Sequence, residues 1–134
     1  MKEEEISSLI QHRMVQAQTA LEDAAFLLQG NRSPQSIVNR AYYAMFYAVL
    51  ALLQKIGTVP SKHTGVISLF DTEFALKGIF PKELSRDFHK AFELRQACDY
   101  KNLATISQEK ARETLNNAKR FVEVVKNYLS GQAK

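Results

Sequence analysis

The chain has 134 residues, 46% of them apolar, with 18 Lys plus Arg against 14 Asp plus Glu and a formal net charge of +4. Only 5 Gly and 3 Pro are present, a composition that excludes collagen-like and low-complexity disordered chains and leaves little turn chemistry for a many-stranded sheet. At this length the chain is expected to bury one core, so residues 1–134 are read as a single domain.

In chain order, Ile6, Ile10, Met14, Ala17, Leu21, Ala24 and Leu28 recur at spacings of 4, 4, 3, 4, 3 and 4, one face of an α-helix expected from Glu3 to Gln29. Its three leading glutamates suit the positive end of the helix dipole, and Gly30-Asn31 tolerates a left-handed stop. Ser33-Pro34 opens a second helix, by hydroxyl capping and by a proline where no N–H partner is needed, and Gly57 ends it. After the loop Thr58-Val59-Pro60-Ser61, the residues Val66, Ile67, Phe70 and Phe74 predict a third helix closed by Gly78. Pro81 opens a fourth, with Leu84, Phe88, Ala91 and Phe92 turned inward and the helical signal fading from Asp99 to Asn102. A last helix, capped by Thr105 or Ser107, carries Leu115, Ala118, Val122, Val125 and Leu129 and ends before Gly131. Five helices with short connections predict an all-α, up-and-down bundle.

Cys98 is the only cysteine, so neither an internal disulfide nor a cysteine-based zinc site is available. The N-terminus lacks the basic start and apolar stretch of a signal peptide. The longest apolar run, Ala41 to Leu53, is 13 residues, short of the ~20 that a membrane span needs. A cytoplasmic protein is expected.

A charge on a stripe that should be buried is costly unless paired, so such positions are informative. Arg95 continues the inward stripe of the fourth helix, and Asp99 lies one turn further on the same face with Tyr100 beside it. Two readings stay open: a helix-end salt bridge, or a guanidinium held by Asp99 to contact phosphate. The second helix is apolar nearly all round, which predicts either a central helix or one covered by a second subunit. On it Arg40, Tyr43 and Tyr47 share a face, while Tyr42 leans toward the stripe of Val38, Met45 and Val49. These tyrosines are either core residues with a wet hydroxyl or rings that stack on bases while arginine grips phosphate. His63 falls at the edge of the inward face of the third helix, as a cap, a satisfied core group or a groove residue.

His12, His63 and His89 do not have metal-ligand spacing, and the paired carboxylate-histidine pattern of a di-iron bundle is absent, so no metal is expected. Glycine-rich phosphate loops and the GxSxG elbow are absent too, and no cofactor is expected. Lys110, Arg112, Lys119, Arg120 and Lys126 are interspersed with acids and read as a solvated face.

Three blocks together, Ser36-Ile37-Val38-Asn39-Arg40-Ala41-Tyr42-Tyr43-Ala44-Met45-Phe46, then Ser61-Lys62-His63-Thr64-Gly65-Val66-Ile67, then Arg95-Gln96-Ala97-Cys98-Asp99-Tyr100, resemble a prokaryotic HEPN domain over nearly the whole chain. The resemblance implies a five-helix bundle, akin to the helical substrate-binding domains of nucleotidyltransferases. It also implies a homodimer, paired with a minimal nucleotidyltransferase as a toxin–antitoxin-like system that handles nucleotide or RNA. Many HEPN domains resemble metal-independent ribonucleases in which a histidine follows the arginine after four to six residues. Arg95 matches that arginine, but Tyr100 stands where the histidine is expected, and a phenol with a pKa near 10 is a poor acid–base group at neutral pH. In related toxins a tyrosine after the motif receives adenylate; Tyr100 is the matching position. The expected groove is lined by Arg40, Tyr43, His63, Arg95, Asp99 and Tyr100, with Arg95 the candidate catalytic residue should cleavage occur.

Overall fold

A computed structural model describes residues 2–98 and 106–131. It contains helices α1 (Glu3–Gln29), α2 (Pro34–Ile56), α3 (His63–Phe70), α4 (Lys82–Gln96) and α5 (Gln108–Leu129), with no strand among the described residues. The expected all-α bundle is therefore what forms.

The boundaries follow local chemistry. Ser33 Oγ accepts the Ser36 N–H at 3.2 Å, with Pro34 at the first helical position of α2. Gly57 ends that helix at φ +84°, a left-handed conformation open to residues without a Cβ. At the end of α1 it is Asn31 (φ 54°), not Gly30, that enters the left-handed region. Ser107, rather than Thr105, is the cap of α5, its Oγ accepting the Lys110 N–H at 3.0 Å; Thr105 lies outside the described residues.

The third helix departs from expectation. It ends at Phe70 instead of reaching Phe74, and passes into a π-helical turn, Asp71–Ala75, in which the Leu76 N–H donates to the Asp71 carbonyl at 2.8 Å. Phe70 and Phe74 still both face the core. The Asp71 side chain ties this turn to α4, accepting from Ser85 Oγ at 2.6 Å and from His89 Nε2 at 2.6 Å.

Helix α2 is the axis of the bundle. Its inward residues run from Ile37 to Leu53 around almost the whole circumference, and α1, α5, α4 and α3 pack on it. Each fully covered Leu, Val or Phe side chain contributes roughly 1.5–3 kcal/mol. Of the two explanations open for its apolar breadth, the central position is the correct one: coverage comes from the same chain. With 23 residues α2 has the length and composition to cross a bilayer, yet here its apolar side chains are spent on the core. An aromatic group made by Phe70, Phe74, Phe80, Phe88 and Phe121 fills the space between α3, α4 and α5.

The position of α3 depends on one close approach. A Cβ on Gly65 would lie 2.9 Å from Pro60 Cβ, so the loop before α3 folds tightly over that residue. Gly65→Ala gains about 1 kcal/mol of helix propensity but forces Pro60 aside, an overpacking cost of roughly 1–3 kcal/mol. A net loss of stability is expected, read as a lower melting temperature; an unchanged or raised value would show that the loop yields freely.

Candidate functional site

The middle of α2 places one phenol inside the core. Tyr42 is fully buried, stacked on Phe88 and against Phe92 of α4. A buried hydroxyl left without a partner costs about 1–3 kcal/mol, and the partner comes from α3: Tyr42 Oη lies 2.9 Å from His63 Nδ1. The His63 ring is itself stacked on Phe46 with centroids 4.2 Å apart. His63 is the first residue of α3, so the Pro60–Gly65 contact sets this pair as well.

Burial pushes the Tyr42 pKa upward, partly offset by the Arg95 charge, so the group is a phenol throughout the physiological range. Burial, and then the Arg95 charge, lower the His63 pKa below its ordinary 6.5, so the imidazole is neutral at pH 7. The Tyr42 hydroxyl and His63 Nδ1 satisfy each other in that one hydrogen bond, which fixes the orientation of the imidazole ring.

Two guanidinium groups complete the cluster. Arg95, at the end of α4, has Cζ 5.4 Å from the ring centroids of both Tyr42 and Tyr43. Arg40 has Cζ 5.2 Å from Tyr43, while its Nε and Nη2 donate to Asn39 Oδ1 at 3.1 and 3.0 Å. Ring faces carry negative potential and hold such cations. Tyr43 and Tyr47 are half-buried with centroids 5.9 Å apart. The arrangement offers two delocalised cations, a neutral imidazole and partly open aromatic rings, a set suited to a phosphate oxyanion with a planar base beside it.

Of the six expected groove residues, Arg40, Tyr43, His63 and Arg95 come together; Asp99 and Tyr100 lie outside the described residues. Sequence reasoning missed Tyr42 as a site residue, although the need of a buried tyrosine for an acceptor pointed to some polar side chain on the inward edge of another helix. It also missed the Asp71–Ser85–His89 contacts, made between residues 18 and 14 positions apart. Lys110 pairs with Glu113 and Arg120 with Asp87, consistent with the expected solvated face of α5. Among the described residues no group of three or more His, Cys, Asp or Glu is arranged to hold a metal ion.

The family model for the HEPN domain matches residues 10–128. The chain belongs to the HEPN domain family. It is 36% identical over 125 residues to a UPF0332 protein of Thermotoga maritima, covering 93% of this chain and 94% of that one. Two proteins of Methanocaldococcus jannaschii are also similar: "Putative toxin MJ0605", 34% identical with 79% of this chain and 78% of that one covered, and "Putative toxin MJ0142", 37% identical with 69% and 63% covered. In this HEPN protein the arginine of the third motif stands against the tyrosines of the first and close to the histidine of the second.

The depressed His63 pKa makes a two-part prediction. In the folded state His63 binds its proton only below the pH at which the unfolded chain does, so its contribution to stability is present above pH 6.5 and is lost as pH falls through the folded pKa. An NMR titration should place His63 below 6.5, and Arg95→Gln should raise it only part of the way back, because burial is the larger cause. A His63 midpoint at or above 6.5 in the wild type would contradict this account of the cluster.

Proposed function

We propose that this HEPN protein is the helical component of a toxin–antitoxin-like pair with a minimal nucleotidyltransferase. In this reading it binds a nucleotide or an RNA phosphate in the groove of Arg40, Tyr43, His63 and Arg95, with Asp99 and Tyr100 following in the third motif. The observation that carries it is the convergence of Arg95 and Arg40 on Tyr43 beside a neutral His63. Relatives named as toxins support the class of system. Tyr100, five residues after Arg95, is the proposed acceptor of an adenylate delivered by the transferase.

Tyr100 at the position of the expected histidine favours binding over cleavage, because a phenol with a pKa near 10 is a poor acid–base group at neutral pH. The protein in chelator is therefore expected to leave tRNA and single-stranded RNA intact; metal-independent cutting would favour an endoribonuclease toxin instead. A homodimer is part of the proposal, resting on the family habit, since α2 is covered by its own chain. Sedimentation at twice the chain mass is the expected result.

Charge-assisted contacts to phosphate are worth roughly 1.5–3 kcal/mol. Arg95→Ala should accordingly weaken binding of ATP or tRNA about 10- to 100-fold by calorimetry, with the helical circular dichroism unchanged. Equal affinities for both probes in variant and wild type would refute the site.

A further inference from the structure

The outer side of α4 carries a second feature that the nucleotide reading does not use. Lys82, Ser85, Arg86 and His89 fall at i, i+3, i+4 and i+7 and so share one face of the helix. Together with the π turn they line a surface cavity of about 520 Å3 whose apolar part is Ala75 and Leu76. Leu76 is 77% exposed and Ile79, three residues on, 41%. An exposed leucine of this size beside a cavity is the kind of apolar surface that marks an interaction site.

The charges around it are unbalanced. Asp71 is the carboxylate in the cavity, and each of its oxygens already accepts a hydrogen bond, one from Ser85 and one from His89. Glu73 and Lys77 pair with each other at 2.9 Å. Neither Lys82 nor Arg86 makes an ion pair among the described residues. By contrast, the cavity on the opposite flank of α4 mixes Asp87, Glu93 and Glu113 with Lys90 and Lys110 and favours neither sign.

We propose that the groove between the π turn and the N-terminal half of α4 docks an acidic segment of a protein partner. An apolar side chain of that segment sits on Ala75 and Leu76, and its flanking carboxylates meet Lys82 and Arg86. The lining favours a protein over a nucleic acid: among the described residues it holds no Phe, Tyr or Trp, and its one ring, the His89 imidazole, is already bonded to Asp71. The position leaves the nucleotide groove open. Arg86 and Arg95 are nine residues apart, which at 3.6 residues per turn is half a turn in rotation and about 13 Å along the axis, so an occupant of one face does not reach the other.

The test uses the full chain and a synthetic peptide of about 14 residues carrying Leu at helical spacing and Glu elsewhere, with a Lys-for-Glu peptide as its counterpart. Anisotropy at low salt is expected to give binding of the acidic peptide at least 10-fold tighter than of the basic one. Lys82→Glu with Arg86→Glu should invert that preference, and Leu76→Ser should weaken both. All three positions are on the surface, so the variants should keep the wild-type circular dichroism and the wild-type affinity for ATP or tRNA, which separates this proposal from the fate of the nucleotide site. Amide shifts on peptide addition should map to residues 71–90. Unchanged preference in the charge-reversed variant, shifts centred on Arg40 and Arg95, or loss of tRNA binding in that variant would each overturn the proposal, the last by making the face a nucleic-acid surface.

Discussion

The constraint on which the molecule depends is the coverage of α2. A helix apolar around nearly its whole circumference must be wrapped on all sides, and a chain of this length meets that demand only by laying its other helices against it. Among the buried side chains of α2, the Tyr42 hydroxyl is the one strong hydrogen-bonding group. Wrapping α2 therefore brings with it a second requirement: one surrounding element has to deliver a hydrogen-bonding partner at that height. His63 does so from the first turn of α3, and its ring then lies flat on Phe46. Fold and site share a single cause, because the contact that satisfies the core phenol also fixes the imidazole.

The charge pattern of the cluster follows from the same burial. Desolvation keeps Tyr42 protonated and His63 unprotonated near neutrality, so neither contributes formal charge. Positive potential rests on the guanidinium groups of Arg40 and Arg95. Those two groups are held against tyrosine rings, which restricts their side-chain freedom. The overall excess of +4 is spread over both signs and is secondary to this local placement.

What could be read in the sequence was what lies within one helix. Spacing of Leu, Ile and Phe gave the helices, and Ser33, Gly57 and Ser107 gave their ends. Arg40, Tyr43 and Tyr47 were legible as one face because they are three and four residues apart, and Arg95 because it interrupts an apolar stripe. The Tyr42–His63 pair was not legible, since its members are 21 positions apart and only the crossing of α2 and α3 joins them. The switch from α to π geometry at Asp71 was hidden for a related reason: Phe70 and Phe74 satisfy an α-helical period, and the contacts that accompany the change, to Ser85 and His89, come from α4. Whether α2 was covered by its own chain or by another was likewise a question of tertiary packing.

Helix α4 connects the two surfaces. Its inward stripe runs through Leu84, Phe88 and Ala91 to Arg95, and its outward face holds Lys82 and Arg86. Phe88 packs on Tyr42 and on Phe121 in one densely filled interior, where side chains transmit displacement rather than absorb it. Ser85 and His89 on its outward side are bonded to Asp71, and Arg95 at its end stands against the rings of Tyr42 and Tyr43. One 15-residue helix thus fixes the distance between the two faces.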